Sequence, residues 1–435
     1  MTITHDPRHA AYLEEADVRN ELSRVFDVCG GCRRCTDLCG AFPTLFGLLD
    51  QQSDGDAGRL TPAEQDAVVD ECRHCKLCAV GCPYAPDRDD AAVDIPRTMV
   101  RATAMRVTSD RAASRPRRGP VAVRIGRLGS MGAGVAAVVN RVAGAPADSL
   151  ARRAVARTTG ISAHRLLPSV ASQRFSAWFR RRLRVTVERP QGVVSVFPGC
   201  LVEYHEPSIG HALVKVYERN GVQCELTGAG CCGAPWLHAG EMERFLDAAE
   251  RNVEVLAGEI RDGRHVVVAQ PTCAYVLRRE YPRYLPGGDT DLVAANAFDA
   301  SEYLMLLHEG DETVLDTNFE PFSGDPPTIA YHASCHVQAL EIGLRSRELL
   351  GLTGARVTVV RACSGTDGGW GLQAANEEAA LGTAADLAER IAATGGDPIA
   401  GDCHMANTAI VEQTGREVRH PLQVLARAYG IPPEP

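Results

Sequence analysis

The 435-residue sequence has no uninterrupted apolar run of about eighteen residues, which excludes a bilayer-spanning helix. It opens MTITHDPRHAAYLEEADVR, with acids and no apolar signal-peptide core. The compartment expected is the reducing cytosol, where clustered cysteines serve more often as metal ligands than as disulfides. No nucleophile, base and orienting group form a recognisable set, and Gly365-Thr-Asp-Gly-Gly-Trp-Gly371 does not match the dinucleotide fingerprint. Lysine is missing between Arg101 and Arg189, yet that segment holds nineteen arginines against only Asp110, Asp148 and Glu188. It therefore carries +16, and with a formal net charge of -9 the rest of the chain carries -25. So uneven a layout points to a partner or an anionic surface, and no nucleic-acid partner is expected.

What the chain has is cysteine, sixteen in all. Eight form two runs, Cys29-x2-Cys32-x2-Cys35-x3-Cys39 and Cys72-x2-Cys75-x2-Cys78-x3-Cys82, the second followed by Pro83. This is the spacing of bacterial two-cluster ferredoxins, in which the last cysteine of each run ligates the other cluster. The expected sets are Cys29, Cys32, Cys35 and Cys82 for one 4Fe-4S cluster, and Cys72, Cys75, Cys78 and Cys39 for the other. Structural zinc fits less well, because each run already offers four thiolates in ferredoxin order.

The fold class expected is α plus α/β. Residues 1–108 read as a helical two-cluster ferredoxin domain, with one helix ending near Val28 and another capped by Thr61 with Pro62 at its first position. Residues 109–190 read as a basic helical linker. Within it Phe175, Trp178 and Phe179 recur at helical spacing beside Arg180, Arg181 and Arg182. Two readings of that segment stand: an interfacial helix on anionic headgroups, or a connector packed across the other domains or docked on an acidic subunit.

From residue 191 strands and helices alternate in two copies, 191–322 and 323–435, each a parallel α/β module. Strands are expected at Val193–Phe197, Val222–Leu226 and from His265 in copy one, and at Thr328–His332, Arg356–Val360 and from Pro398 in copy two. Helices are expected over Gln338–Leu349 and Ala375–Ala393 in copy two. Cysteines recur after corresponding strands: Cys200, Cys231-Cys232-Gly233 and Cys273, then Cys335, Cys363-Ser364-Gly365 and Cys403. Ligands of open α/β sheets bind outside the carboxyl ends of the strands, so these thiols converge where a metal site is expected.

Phe197-Pro-Gly-Cys200, Cys231-Cys232-Gly233, Pro271-Thr-Cys273 with Arg278-Arg-Glu-Tyr-Pro282, Tyr331-His-Ala-Ser-Cys335-His336, Leu167-Pro-Ser-Val-Ala-Ser-Gln-Arg-Phe175 and His420-Pro-Leu-Gln-Val-Leu-Ala-Arg-Ala428, together with the two runs, carry a resemblance. The chain resembles the C subunits of anaerobic glycerol-3-phosphate dehydrogenase, within the cysteine-rich CCG-domain group that includes the B subunits of heterodisulfide reductase. The resemblance implies an electron carrier between a flavoprotein dehydrogenase, with FAD only on that partner, and a quinone, placed in the cytoplasm or on the inner face of the membrane.

The departures matter as well. A complete module has C…CCG…C-x2-C, but Val276 stands where copy one's last cysteine belongs, and Ser364 and Ala406 replace two in copy two. Cys200, Cys231, Cys232 and Cys273 remain candidates for a third centre, either a 4Fe-4S cluster, an incomplete non-cubane cluster or zinc. Cys335, Cys363 and Cys403 with His336 and His404 are candidates for zinc, or copy two keeps the fold without metal. The leading expectation is a non-catalytic electron-transfer subunit. The alternatives are a disulfide or thiol reductase using a CCG-module cluster, and a metal-poor docking scaffold in the α/β half.

Overall fold

The structure, a computed structural model, describes residues 5–51, 55–112, 133–147, 149–185, 187, 190–322 and 324–434. The arginines between positions 113 and 132 lie outside these residues. The chain divides into two compact units, Met1–Pro120 with Gly233–Leu246, and Val121–Cys232 with Asp247–Pro435.

The first unit is helical. Glu15–Cys32, Ala41–Asp50, Pro62–Asp70 and Ile95–Ala112 bury a stripe that includes Leu22, Phe26, Leu45, Leu49, Val68 and Met99. Thr61 caps the third helix in a capping box with Glu64, and Pro62 occupies the first turn where its missing N–H costs nothing. The first helix does not stop near Val28; it runs through Gly30 and Gly31 to Cys32. Gly30 serves close packing instead of termination: a Cβ there would lie 2.5 Å from Leu49 Cδ1. Cys29 and Cys32 therefore sit on the helix's last turn. Two of the nineteen arginines are spent inside this unit. Arg101 is buried against Asp17 at 2.5 Å, and Arg106 reaches Asp70 at 2.6 Å.

The second unit holds two four-stranded parallel sheets. Strands β1 (Gly192–Phe197), β2 (Val222–Leu226), β3 (His265–Val268) and β4 (Ala297–Asp299) lie in the order β2-β1-β3-β4. Strands β5 (Thr328–His332), β6 (Arg356–Val360), β7 (Ile399–Gly401) and β8 (Val418–Arg419) repeat it as β6-β5-β7-β8. The shared order is the duplication seen in the sequence. The fourth strand of each sheet leaves no sequence signature, because three and two residues are too few for any periodicity. The helix expected over Gln338–Leu349 is two, Cys335–Ala339 and Arg345–Gly351. Between them Glu341 (φ 57) and Gly343 (φ 80) adopt left-handed backbone that no α-helix accommodates.

The linker is bolted to the α/β modules. Phe175 and Phe179, on helix Phe175–Arg181, are buried in the core around the first sheet, and Trp178 packs beside them with its indole N–H donating to Glu434. Arg182 forms an almost fully buried ion pair with Glu218 at 2.7 Å. Farther back, Arg165 is buried against Glu412 (2.9 Å) and the Gly371 carbonyl, while Arg152 donates to the Ala163 and Arg165 carbonyls. Of the two readings of the aromatic helix, the packed connector is the one this geometry supports. Its rings face the core, and Arg180, Arg181 and the 95 % exposed Leu183 face outward.

Between the two sheets lies a buried acid network. Asp299, the last residue of β4, caps helix Ala300–Glu309; Asp402, after β7, accepts from Tyr331 (2.6 Å) and Ser346 (2.5 Å), and Ser346 also bonds Ser301. Burial, with Asp402 nearby, pushes the Asp299 carboxyl up to about 7, and burial pushes Asp402 up to about 6. A raised carboxylate binds its proton in the native state after the unfolded chain has released it, so stability falls as pH rises from about 4 to about 7. Asp299→Asn keeps the cap acceptor and cannot ionise. It is expected to stabilise the protein by about 1–2 kcal/mol at pH 8 and little at pH 4, on the scale of about 1.4 kcal/mol per unit of pKa. Melting curves at the two pH values check this, and an equal shift at both would contradict it.

Candidate metal centres

In the first unit the eight cysteines line two adjoining cavities. One, of about 410 Å³, part of it open to solvent, is bordered by Cys29, Cys32, Cys35 and Cys82 with Phe42 and Phe46. The other, of about 360 Å³, is bordered by Cys39, Cys72, Cys75 and Cys78 with Ile95 and Met99. Each cavity draws three cysteines from one run and the last cysteine from the other. Cys78 borders both, so the two spaces share a wall.

Local backbone geometry makes this possible. Arg33 and Lys76, each one residue past the second cysteine of its run, adopt left-handed conformations with φ 52 and 67. Such backbone is uncommon for a residue with a Cβ, and its recurrence at matching positions gives the two runs the same reversal. Nothing in the residue types signals it, since neither arginine nor lysine favours that region.

The electrostatics ask for a cation. Burial pushes the Cys29 thiol up to about 12, helped by Cys35, Cys82 and Cys32, and pushes Cys35 up to about 11. Cys78 is raised well above the ordinary thiol range by burial and then by Cys75, Cys72 and Cys39. Left alone these groups would stay protonated; a bound metal deprotonates its thiols outright. Crowded sulfurs in an apolar cavity are thus a donor set that fits an iron-sulfur group.

In the second unit Cys200 lies in the first turn of helix Gly199–Tyr204 after β1, Cys231 and Cys232 follow β2, and Cys273 lies in helix Pro271–Tyr275 after β3. Their free thiols meet: Cys200 is hydrogen-bonded to Cys231, and Cys232 to both Cys231 and Cys273. These bonds, followed by burial, raise Cys200 and Cys232 well above the ordinary range. Gly199 (φ 60) is required beside them, because a Cβ there would stand 2.9 Å from Cys273 Sγ. The cysteine pair is held by residues that the sequence does not single out for this role. Tyr281 Oη donates to the Cys232 carbonyl (2.9 Å) and Asn252 Nδ2 to the Cys231 carbonyl (2.9 Å), while Asn252 also reaches Tyr281 Oη at 3.0 Å. Of the flanking residues, Tyr204 lies near Cys200 and Cys231, whereas His205 Nδ1 bonds the Ser169 carbonyl at 2.7 Å. His238 is elsewhere, stacked on His74 in the first unit.

Copy two is looser. Cys335 Sγ is 3.6 Å from His336 Nδ1, which is itself 3.2 Å from Thr272 Oγ1 of copy one. Cys363 accepts the Gly365 N–H at 3.4 Å. Cys403 lies near Cys273, with its thiol raised by burial, and burial lowers the neighbouring His404 to about 4. Among the described residues no group of three or more His, Cys, Asp or Glu side chains is gathered as a single-ion site.

Residues 194–278 and 329–410 match the Cysteine-rich domain family CCG, one match on each sheet. The chain is 28% identical over 274 residues to the C subunit of anaerobic glycerol-3-phosphate dehydrogenase from Escherichia coli (strain K12), covering 62% of this chain and 67% of that protein. It is also 28% identical over 188 residues to the B subunit of fumarate reductase (CoM/CoB) from Methanothermobacter marburgensis, covering 42% of this chain and 34% of the other. With lactate utilization protein A 1 of Bacillus cereus (strain AH820) it shares 28% over 183 residues, 40% of this chain and 72% of that one. These similarities support the resemblance read from the sequence.

Proposed function

We propose, from two Cysteine-rich domains joined in one chain to a pair of cysteine-lined cavities, that this protein is an iron-sulfur electron-transfer subunit of an oxidoreductase complex. The carrying observation is the crossed lining of the two cavities, with Cys82 beside Cys29, Cys32 and Cys35, and Cys39 beside Cys72, Cys75 and Cys78. A 4Fe-4S cluster bound in each would supply one-electron redox chemistry. The apolar walls at Phe42, Phe46, Ile95 and Met99 limit water at the thiolates, and Arg33, Arg73 and Lys76 bring positive charge to the rims. Cys200, Cys231, Cys232 and Cys273 form a candidate third iron-sulfur site. Copy two, with Cys335, Cys363, Cys403, His336 and His404, serves mainly to close the module.

The relatives are named as subunits of a dehydrogenase and a reductase, so a catalytic partner fits the reading. A flavoprotein dehydrogenase is proposed as donor and a quinone as acceptor. The test is to reduce the purified chain without oxygen and mix it with a water-soluble quinone. Rapid reoxidation is expected, and none would reject the role.

No helix among the described residues is long and apolar enough to cross a membrane. A peripheral position on the cytoplasmic face is proposed from exposed Arg180 and Arg181 beside exposed Leu183. The double change Arg180→Glu and Arg181→Glu is expected to weaken binding to anionic vesicles about tenfold at low salt, and wild-type binding should fade as salt rises. Arg182 is unsuitable for this test because it is committed to Glu218. Vesicle binding indifferent to both salt and the double change would rule the position out.

A further inference from the structure

Gly233–Leu246 begins one residue after Cys232 yet forms part of the first compact unit, with the ferredoxin-type cysteines. It starts at Gly233, whose φ of 88 turns the chain into the short helix Ala234–His238. It then crosses helix Ile95–Ala112 at Gly240. That crossing is tight: Gly240 has φ 70, and a Cβ would lie 2.6 Å from the Ala104 backbone nitrogen. The same long helix contributes Ile95, Pro96 and Met99 to the cavity of Cys39, Cys72, Cys75 and Cys78.

The segment thereby brings one ring against a residue that borders that cavity. His238 stacks on His74 with ring centroids 4.7 Å apart and planes 15° from parallel. His74 sits inside the Cys72-x2-Cys75 loop, borders the cavity, is 7% exposed, and has left-handed backbone at φ 47. A residue with a Cβ held there is strained and persists only when its surroundings fix it. The His238 ring is a surrounding of the right kind, since parallel aromatic faces at this separation attract.

We infer that His238 is a positioning residue for the second cysteine set. It acts through His74 to hold the loop that carries Cys72 and Cys75, so the segment following the Cys231-Cys232 pair also shapes the second ferredoxin-type site. This rests on the proposal that the site holds a 4Fe-4S cluster. Solvent access and hydrogen bonding at the sulfurs set the redox behaviour of such a group, so the loop's geometry is read directly in its spectrum.

The test uses the full chain purified without oxygen, with iron, acid-labile sulfide and the EPR spectrum of the reduced protein as readouts. The signal of the second cluster is assigned from a Cys82→Ser variant, which lacks the first. In His238→Ala that signal should change its shape and midpoint, or vanish with loss of about four irons, while the first cluster's signal is unchanged. His238→Phe, which retains a stacking face, should restore it. The inference is overturned if His238→Ala leaves both signals as in wild type, if the phenylalanine variant is as damaged as the alanine one, or if both clusters are lost together. Wild-type protein without two clusters would instead sink the proposal on which this inference rests, before any variant is made.

Discussion

Replacing Cys82 with serine is expected to remove the cluster bound by Cys29, Cys32 and Cys35 and to spare the one bound by Cys72, Cys75 and Cys78, although Cys82 belongs to the latter's run. Iron should fall by about four per chain. The reason lies in the cavity walls. Cys82 borders the space lined by the first run, and the electrostatic neighbours of Cys29 are Cys35, Cys82 and Cys32. Cys39 mirrors it among the neighbours of Cys78. Serine offers a much poorer ligand for iron than thiolate, so a three-cysteine remnant should lose iron readily. If Cys82→Ser instead retains the first run's cluster and loses the second, the runs are self-contained and the crossed assignment is wrong.

The second large effect concerns Cys232. It is 2% exposed and hydrogen-bonded to both Cys231 and Cys273, with its carbonyl fixed by Tyr281. If the four thiols hold a centre on the route to the acceptor, Cys232→Ser should slow reoxidation by a soluble quinone by about tenfold or more, with both ferredoxin-type EPR signals intact. Unchanged quinone kinetics would favour the scaffold reading of the α/β half. Disulfide-reducing activity with an artificial donor in wild type, lost in the variant, would favour the reductase reading.

Much of this was legible because cysteine spacing is a covalent constraint. Thiols spaced two residues apart can face one space when the backbone reverses after the second of them, as at Arg33 and Lys76, so the two runs suggest their grouping before any fold is known. The duplicated sheets are readable too, since strands such as Val193–Phe197 and Arg356–Val360 are rich in β-branched residues.

The unreadable parts depend on contacts between distant residues. Gly30-Gly31 looks like a helix stop until Leu49 is seen against it. The aromatic stripe of Phe175, Trp178 and Phe179 has the same pattern whether it faces lipid or a core, and only the packing around β1 decides. Likewise the positive charge between Arg101 and Arg189 suggests a large outward surface, yet Arg101, Arg152, Arg165 and Arg182 are folded inward against acids and carbonyls. His238 follows copy one's cysteine pair in sequence and would be assigned to that site by proximity. The left-handed turn at Gly233 sends it to the other unit instead.

The claim that two one-electron centres share a wall is tested most directly by EPR during a redox titration of the anaerobically purified full chain. Cys78 borders both cavities, and Cys35 is among its electrostatic neighbours, so the centres must lie close enough for their spins to interact. The account predicts two 4Fe-4S signals that split or broaden each other at full reduction, and that sharpen into one simple spectrum in Cys82→Ser. A single unsplit signal in wild type at full reduction, or no 4Fe-4S signal at all, would contradict it.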